Sequence, residues 1–148
     1  MMRLSHRRIA AFVLGVGLSG CGGSAPPVAP IAPSSHRGQV EPIPGRPASV
    51  EVVVEPDQAR AAGRKASGKV VAYFSNADGS GPADPAPKGV AFTDPSGKVY
   101  LMTPHPEGAA RAVRFDSEAG PFPPGREVSG VLTATISGER VEVMIRGR

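Results

Sequence analysis

The chain has 148 residues, enough for one small domain, with 17 Lys and Arg against 13 Asp and Glu, one Cys and no Trp. A single cysteine excludes an internal disulfide and a cysteine-built metal cluster. The formal charge of +4 does not mark a nucleic-acid binder, because three of the 17 basic residues (Arg3, Arg7 and Arg8) lie in a leader without acids, leaving 14 against the same 13 acids. Beyond that leader the chain is close to neutral and lacks the basic field that tracks phosphates.

Residues 1–20 read as an export signal: a basic start, then the apolar run Ile9 to Leu18 interrupted only by Gly15 and Gly17. A membrane-spanning helix needs about 20 apolar residues, and this run stops at roughly half that length. Leu18-Ser19-Gly20-Cys21 resembles the lipobox of bacterial lipoproteins, in which small residues precede an obligatory cysteine. The resemblance implies that the signal is cut before Cys21, that the Cys21 sulfur takes a diacylglycerol and that the new amine is often acylated. Two or three acyl chains hold a soluble domain on a bilayer essentially permanently, whereas one is marginal. Gly22 rather than Asp after Cys21 implies, by the same resemblance, release from the inner membrane and residence in the outer membrane, facing the periplasm.

Residues 21–47 are rich in Pro, Gly, Ala and Ser, as in Ala25-Pro26-Pro27 and Pro42-Ile43-Pro44-Gly45-Arg46-Pro47. Proline lacks the amide donor and fixes φ, so the stretch is expected to be a semi-extended tether. Its far end, around His36 to Ile43, has room to lie along the domain that follows.

Residues 48–148 are dominated by period-two alternation. Seven strands are expected: one through Val50, Val52 and Val54, then Lys69 to Ser75, Val90 to Thr93, Lys98 to Thr103, Arg111 to Asp116, Val128 to Ile136 and Arg140 to Arg146. Asp94-Pro95-Ser96-Gly97 suits a type I turn and joins the third and fourth strands as a hairpin, and Ser137-Gly138 joins the last two. Pro56 to Ala62 is a short helix candidate, with Pro and Asp suited to a first turn. Seven short strands without cysteine pairs or Trp predict an all-β domain: a small antiparallel β-sandwich of immunoglobulin-like architecture. The expected core includes Val52, Val54, Val71, Tyr73 or Phe74, Phe92, Leu101, Phe115, Leu132, Ile136, Val141, Val143 and Ile145.

Motifs for chemistry are sparse. Gly63-Arg64-Lys65-Ala66-Ser67-Gly68-Lys69 nearly spells a phosphate-binding loop, but Val70 stands where Ser or Thr would hold magnesium, and a strand follows where a helix is needed, so no nucleotide is expected. Asn76-Ala77-Asp78-Gly79-Ser80 resembles part of a calcium loop, yet its glycine comes fourth instead of sixth, and a hairpin turn accounts for it. There is no Gly-x-Ser-x-Gly elbow, and neither His36 nor His105 has a triad context. Catalytic residues and cofactors are therefore not expected. The alternative is a soft-metal site using His36 and His105, which requires both imidazoles within about 5 Å of one point. Ser117 to Glu127 holds Pro121, Pro123 and Pro124 around Phe122, which is either a lid over one end of the domain or an exposed binding anchor.

His36-Arg37-Gly38, Pro85-Ala86-Pro87, Ser117 to Phe122 and Gly130 to Glu139 resemble a family of small uncharacterised bacterial secreted proteins and lipoproteins. The resemblance spans most of Ser35 to Gly138 and implies a single β-domain with His-Gly-Gly near the mature start, from which Arg37 departs. A similar segment occurs beside adaptor subunits of heavy-metal efflux pumps. The expected function is a non-catalytic binding or structural module of the cell envelope, anchored in the membrane through Cys21 and able to engage an envelope protein partner through a sheet edge or the Ser117 to Glu127 loop. The alternative is a periplasmic metal-handling or efflux-associated accessory.

Overall fold

The structure, a computed structural model, describes residues 36–57, 67–105 and 112–147. Leu18 to Cys21, most of the tether and residues 58–62 of the helix candidate lie outside them; Pro56 itself ends a strand, paired with Gly68. The described residues are all-β: β1 (Gln39–Pro42), β2 (Ala48–Pro56), β3 (Gly68–Asn76), β4 (Lys88–Thr93), β5 (Val99–Pro104), β6 (Val113–Gly120), β7 (Gly130–Ile136) and β8 (Glu139–Ile145). Every neighbouring pair is antiparallel. The strand absent from the seven expected is β1, which arises from the far end of the proline-rich stretch.

The immunoglobulin-like sandwich does not form. One eight-stranded sheet runs in the order β1-β2-β3-β6-β5-β4-β7-β8 and curls until its ends nearly meet, as in a barrel. The corner is β5, which divides its short length between two neighbours. Val99 to Leu101 pair with β4, and Met102 to Pro104 pair with β6. A sandwich would break the sheet there. Register shifts between Lys69 and Val71 in β3, and between Lys88 and Ala91 in β4, where Gly89 has φ 57°, add the local bending that curling requires.

No strand ladder joins β1 to β8, and side chains stitch this seam instead. At one end the Gln39 amide donates to the Arg146 carbonyl. At the other, the Arg46 guanidinium donates to the Ile136 carbonyl at 3.3 Å and pairs with Glu139.

Alternate side chains fill the barrel: Val50, Val52 and Val54 from β2, Val70, Ala72 and Phe74 from β3, Phe92 from β4, Tyr100 and Met102 from β5, Phe115 from β6, and Leu132, Ile136, Val143 and Ile145 from β7 and β8. Two members of the expected core face outward. Val71 is buried in a second, outer cluster with Tyr73, and Leu101 is 74% exposed. Phe122 is 6% exposed and meets Phe92 and Tyr100 edge-on, with ring centroids 6.0 and 4.9 Å apart. It is the lid over one barrel end, so the reading of Phe122 as an exposed binding anchor is corrected: the ring is spent on the core. The loop is secured over that end by the Gly125 amide, which donates to the Val54 carbonyl at 3.1 Å.

Candidate functional site

Antiparallel partners share a sheet face, so the register fixes what the barrel shows outside. On the half formed by β2, β3 and β6, one row is Glu51, Tyr73 and Arg114, the next is Val53, Val71 and Asp116, and Glu55 faces Lys69 beyond them. The polar groups of these rows form a closed network. The Tyr73 hydroxyl donates to Glu55 Oε1 at 3.0 Å and accepts from Arg114 Nη1 at 3.1 Å. Arg114 also donates from Nη2 to Glu55 Oε2 at 2.8 Å, and from Nε to Asp116 Oδ1 at 2.7 Å. The Lys69 ammonium pairs with Asp116.

Burial, reinforced by the charge of Glu55, pushes the Tyr73 phenol up to about 12. Burial alone would also raise Asp116, but its hydrogen bonds from Arg114 and Lys69 outweigh that and hold its carboxyl below the ordinary range. The hydrogen bond to Asp116, against the opposing effect of burial, makes the Arg114 guanidinium harder still to deprotonate. At neutral pH this cluster therefore holds a protonated phenol, and its carboxylates Glu55 and Asp116 are both engaged by cations. It offers neither an activated nucleophile nor a base poised to accept a proton. Its chemistry is that of a clasp.

The same face fastens the chain's entry into the barrel. Glu51 Oε1 accepts the amides of His36 at 2.8 Å and Gly38 at 2.9 Å, and the His36 ring lies flat on Tyr73 with centroids 3.7 Å apart. Between them Arg37 adopts φ 62°, a left-handed conformation that glycine takes more easily.

The two histidines of the metal reading lie on this half but occupy different columns. His36 Nδ1 is 3.1 Å from Glu51 Oε2. His105 follows β5, donating its amide to the Arg114 carbonyl at 2.9 Å, and so stands two strand spacings, roughly 10 Å, from the column of Tyr73. Met102 faces the core and Met144 lies on β8, on the other half. Among the described residues no group of three or more His, Cys, Asp or Glu converges where a metal ion could be held. The turn at Asn76 to Ser80 closes on itself, with Asn76 Oδ1 accepting from Gly81 and Asp78 Oδ1 from Ser80.

The half built from β5, β4, β7 and β8 has a different exterior. Val99 faces Thr93, Thr93 faces Val131, and Val131 faces Met144, giving a largely apolar row across four strands. Val99 is 56% exposed and Met144 57%, and Leu101 projects beside them from the adjacent row. A shallow cavity of about 440 Å³ opens along the row between Thr93, Val131 and Met144. Compared with protein-family models, with curated proteins and with solved structures, the chain matches none.

Sequence reasoning missed both faces. Val99-Tyr100-Leu101-Met102 is apolar at every position, so alternation cannot say which pair faces out. The clasp joins residues from Glu51 to Asp116 that meet only through strand pairing, and no local spacing signals it.

Proposed function

We propose that this protein is a lipid-anchored, non-catalytic module of the cell envelope, held by Cys21 and making contact through the apolar outer row of β5, β4, β7 and β8. The observation that carries this reading is the division of the barrel's exterior. Glu51, Glu55, Lys69, Arg114 and Asp116 of one half are engaged with one another, with Tyr73 or with the entering chain, while the other half leaves Val99, Leu101 and Met144 exposed in neighbouring rows. Exposed apolar patches of this kind on a small domain mark contact sites. The signal-like leader and the lipobox-like Leu18 to Cys21 supply the anchoring half of the proposal.

Two measurements test it. Mass spectrometry of the mature N-terminus should find Cys21 diacylated, and Cys21→Ala should yield uncleaved precursor; an unmodified Cys21 in the native host would refute the anchor. Outer-membrane fractions should contain the protein, and recovery in the inner membrane would contradict the sorting expected from Gly22.

A further inference from the structure

We infer that the seam between β1 and β8 is a conformational switch: the grip of Glu51 and Tyr73 on the entering chain holds β1 away from β8, and release of that grip lets β1 close onto β8 and complete the barrel. The switch stands apart from the anchored-module reading, since it depends neither on Cys21 nor on what the apolar row touches.

The register says which backbone groups face the gap. In antiparallel pairing, alternate residues turn amide and carbonyl toward the partner, and those between turn both away. The Ile43 amide donates to the Ala48 carbonyl at 3.0 Å, in the same register that sets Glu41 opposite Val50 and Gln39 opposite Val52. Those three residues therefore bond to β2, and Gly38, Val40 and Pro42 look toward β8. In β8 the two-residue turn at Ser137 and Gly138 makes Ile136 and Glu139 a bonded pair. Val141, Val143 and Ile145 then bond to β7, while Arg140, Glu142, Met144 and Arg146 turn their amides and carbonyls to the seam. An unbroken succession of antiparallel pairings leaves β1 and β8 antiparallel to each other, the orientation that a closing ladder needs. Their Cα atoms already approach within 8 Å, against about 5 Å in a ladder.

Two features keep them apart. Pro42 has no amide to give, and the Gly38 amide is already donated to Glu51 Oε1 at 2.9 Å. The grip also draws the chain away from β8. A Cβ on Gly38 would fall 2.4 Å from Val53 Cγ1 and 2.5 Å from the Val52 carbonyl, so the chain is pressed onto β2, and His36 stacks on Tyr73 of β3, one strand farther from the seam. The seam gapes at this end. A cleft of about 540 Å³ opens there between Gly38 to Glu41 on one side and Arg146 and Gly147 on the other, and Gln39 Oε1 is buried with no partner among the described residues. Glu51 and β8 thus compete for one amide. With the grip in place β8 presents an unpaired edge, the feature on which strands of other chains pair; with the grip released, β1 covers it.

Native-state amide exchange of the full chain reads the switch. Glu51→Ala removes the acceptor of both entry amides, and the Met144 and Arg146 amides should then exchange at least tenfold more slowly than in the native chain, although the substitution deletes hydrogen bonds. Pro42→Val supplies the missing donor and should slow Glu142 and Met144 similarly. The amides of β3 and β6 should stay as protected as before in both variants. Unchanged or faster exchange of Met144 and Arg146 in Glu51→Ala, with β3 and β6 still protected, overturns the inference. So does slowing that grows with protein concentration, which would mark pairing between copies of this chain. Where Glu51→Ala loosens β3 and β6 as well, Pro42→Val decides, and no slowing at Glu142 or Met144 overturns the inference equally.

Discussion

Tyr73 carries more of the outer face than its single hydroxyl suggests, because its ring supports His36 while its oxygen bridges Glu55 and Arg114. Its folded value of about 12 lies above the ordinary 10.0, so the stability its protonated form contributes is complete below about pH 10 and is lost as pH rises through about 12. Urea midpoints measured along the alkaline limb should fall less steeply for Tyr73→Phe than for the native chain. Asp116 has the opposite sign. Its carboxyl is held below the ordinary 3.8, so its contribution is present above that value and fades as pH drops through the folded one. Arg114→Met removes one of the two cations that depress it, leaving Lys69, and should flatten the acid limb in part, while lowering stability at neutral pH because the half-buried carboxylates Glu55 and Asp116 lose their hydrogen bonds from the guanidinium. An acid limb as steep as the native one in Arg114→Met would show that Asp116 is not held by that guanidinium.

At the scale of elements, the hairpins were the most legible part of the sequence, since turn chemistry is local. Asp94 Oδ1 accepts from the Ser96 amide at 2.9 Å and the Lys98 amide at 3.0 Å, and Gly97 takes φ 86° to close the β4–β5 hairpin. In the β7–β8 turn Ser137 and Gly138 both have positive φ, 55° and 82°, the mark of a type I′ turn that favours Asn first. Ser137→Asn should raise stability by about 0.5–1 kcal/mol, read as a higher urea midpoint with an unchanged slope. The loop after β6 is held by its aromatic ring, and Phe122→Ala should cost about 3–5 kcal/mol, as for other fully core aromatics. What could not be read locally was how the strands associate. Alternation marks β5 as a strand, but nothing in Val99 to Pro104 says that it will give half its length to β4 and half to β6, and on that division rests the difference between two sheets and one. Likewise β1 hides in a proline-rich stretch because four residues ending in Pro42 carry too little pattern to outweigh their composition.

At the scale of the whole molecule, closure by side chains instead of a ladder makes the seam the barrel's least cooperative boundary. Gln39→Ala combined with Arg46→Ala should speed amide exchange in β1 and β8 while leaving β3 and β6 as protected as before; uniform acceleration would mean that the stitches support the entire fold. Metal is the other global test. With His36 engaged by Tyr73 and Glu51, and His105 two columns away, titration of the mature chain with zinc or copper is expected to show no stoichiometric site tighter than about micromolar. A tight site lost in both His36→Ala and His105→Ala would restore the metal-handling alternative.

The fastening of His36 and Gly38 to Glu51 has a mechanical side. Any pull transmitted along the chain from the residues before His36 reaches the barrel there, and the first bonds it loads are two amides held by one carboxylate and a pair of stacked rings. Beyond them lies β1, a strand of four residues paired with β2 alone, which would unzip bond by bond if it met the load unprotected. Glu51 therefore acts as a strain relief, like the grip where a cable enters its housing: tension in the preceding chain is absorbed at the doorway and does not peel the barrel open.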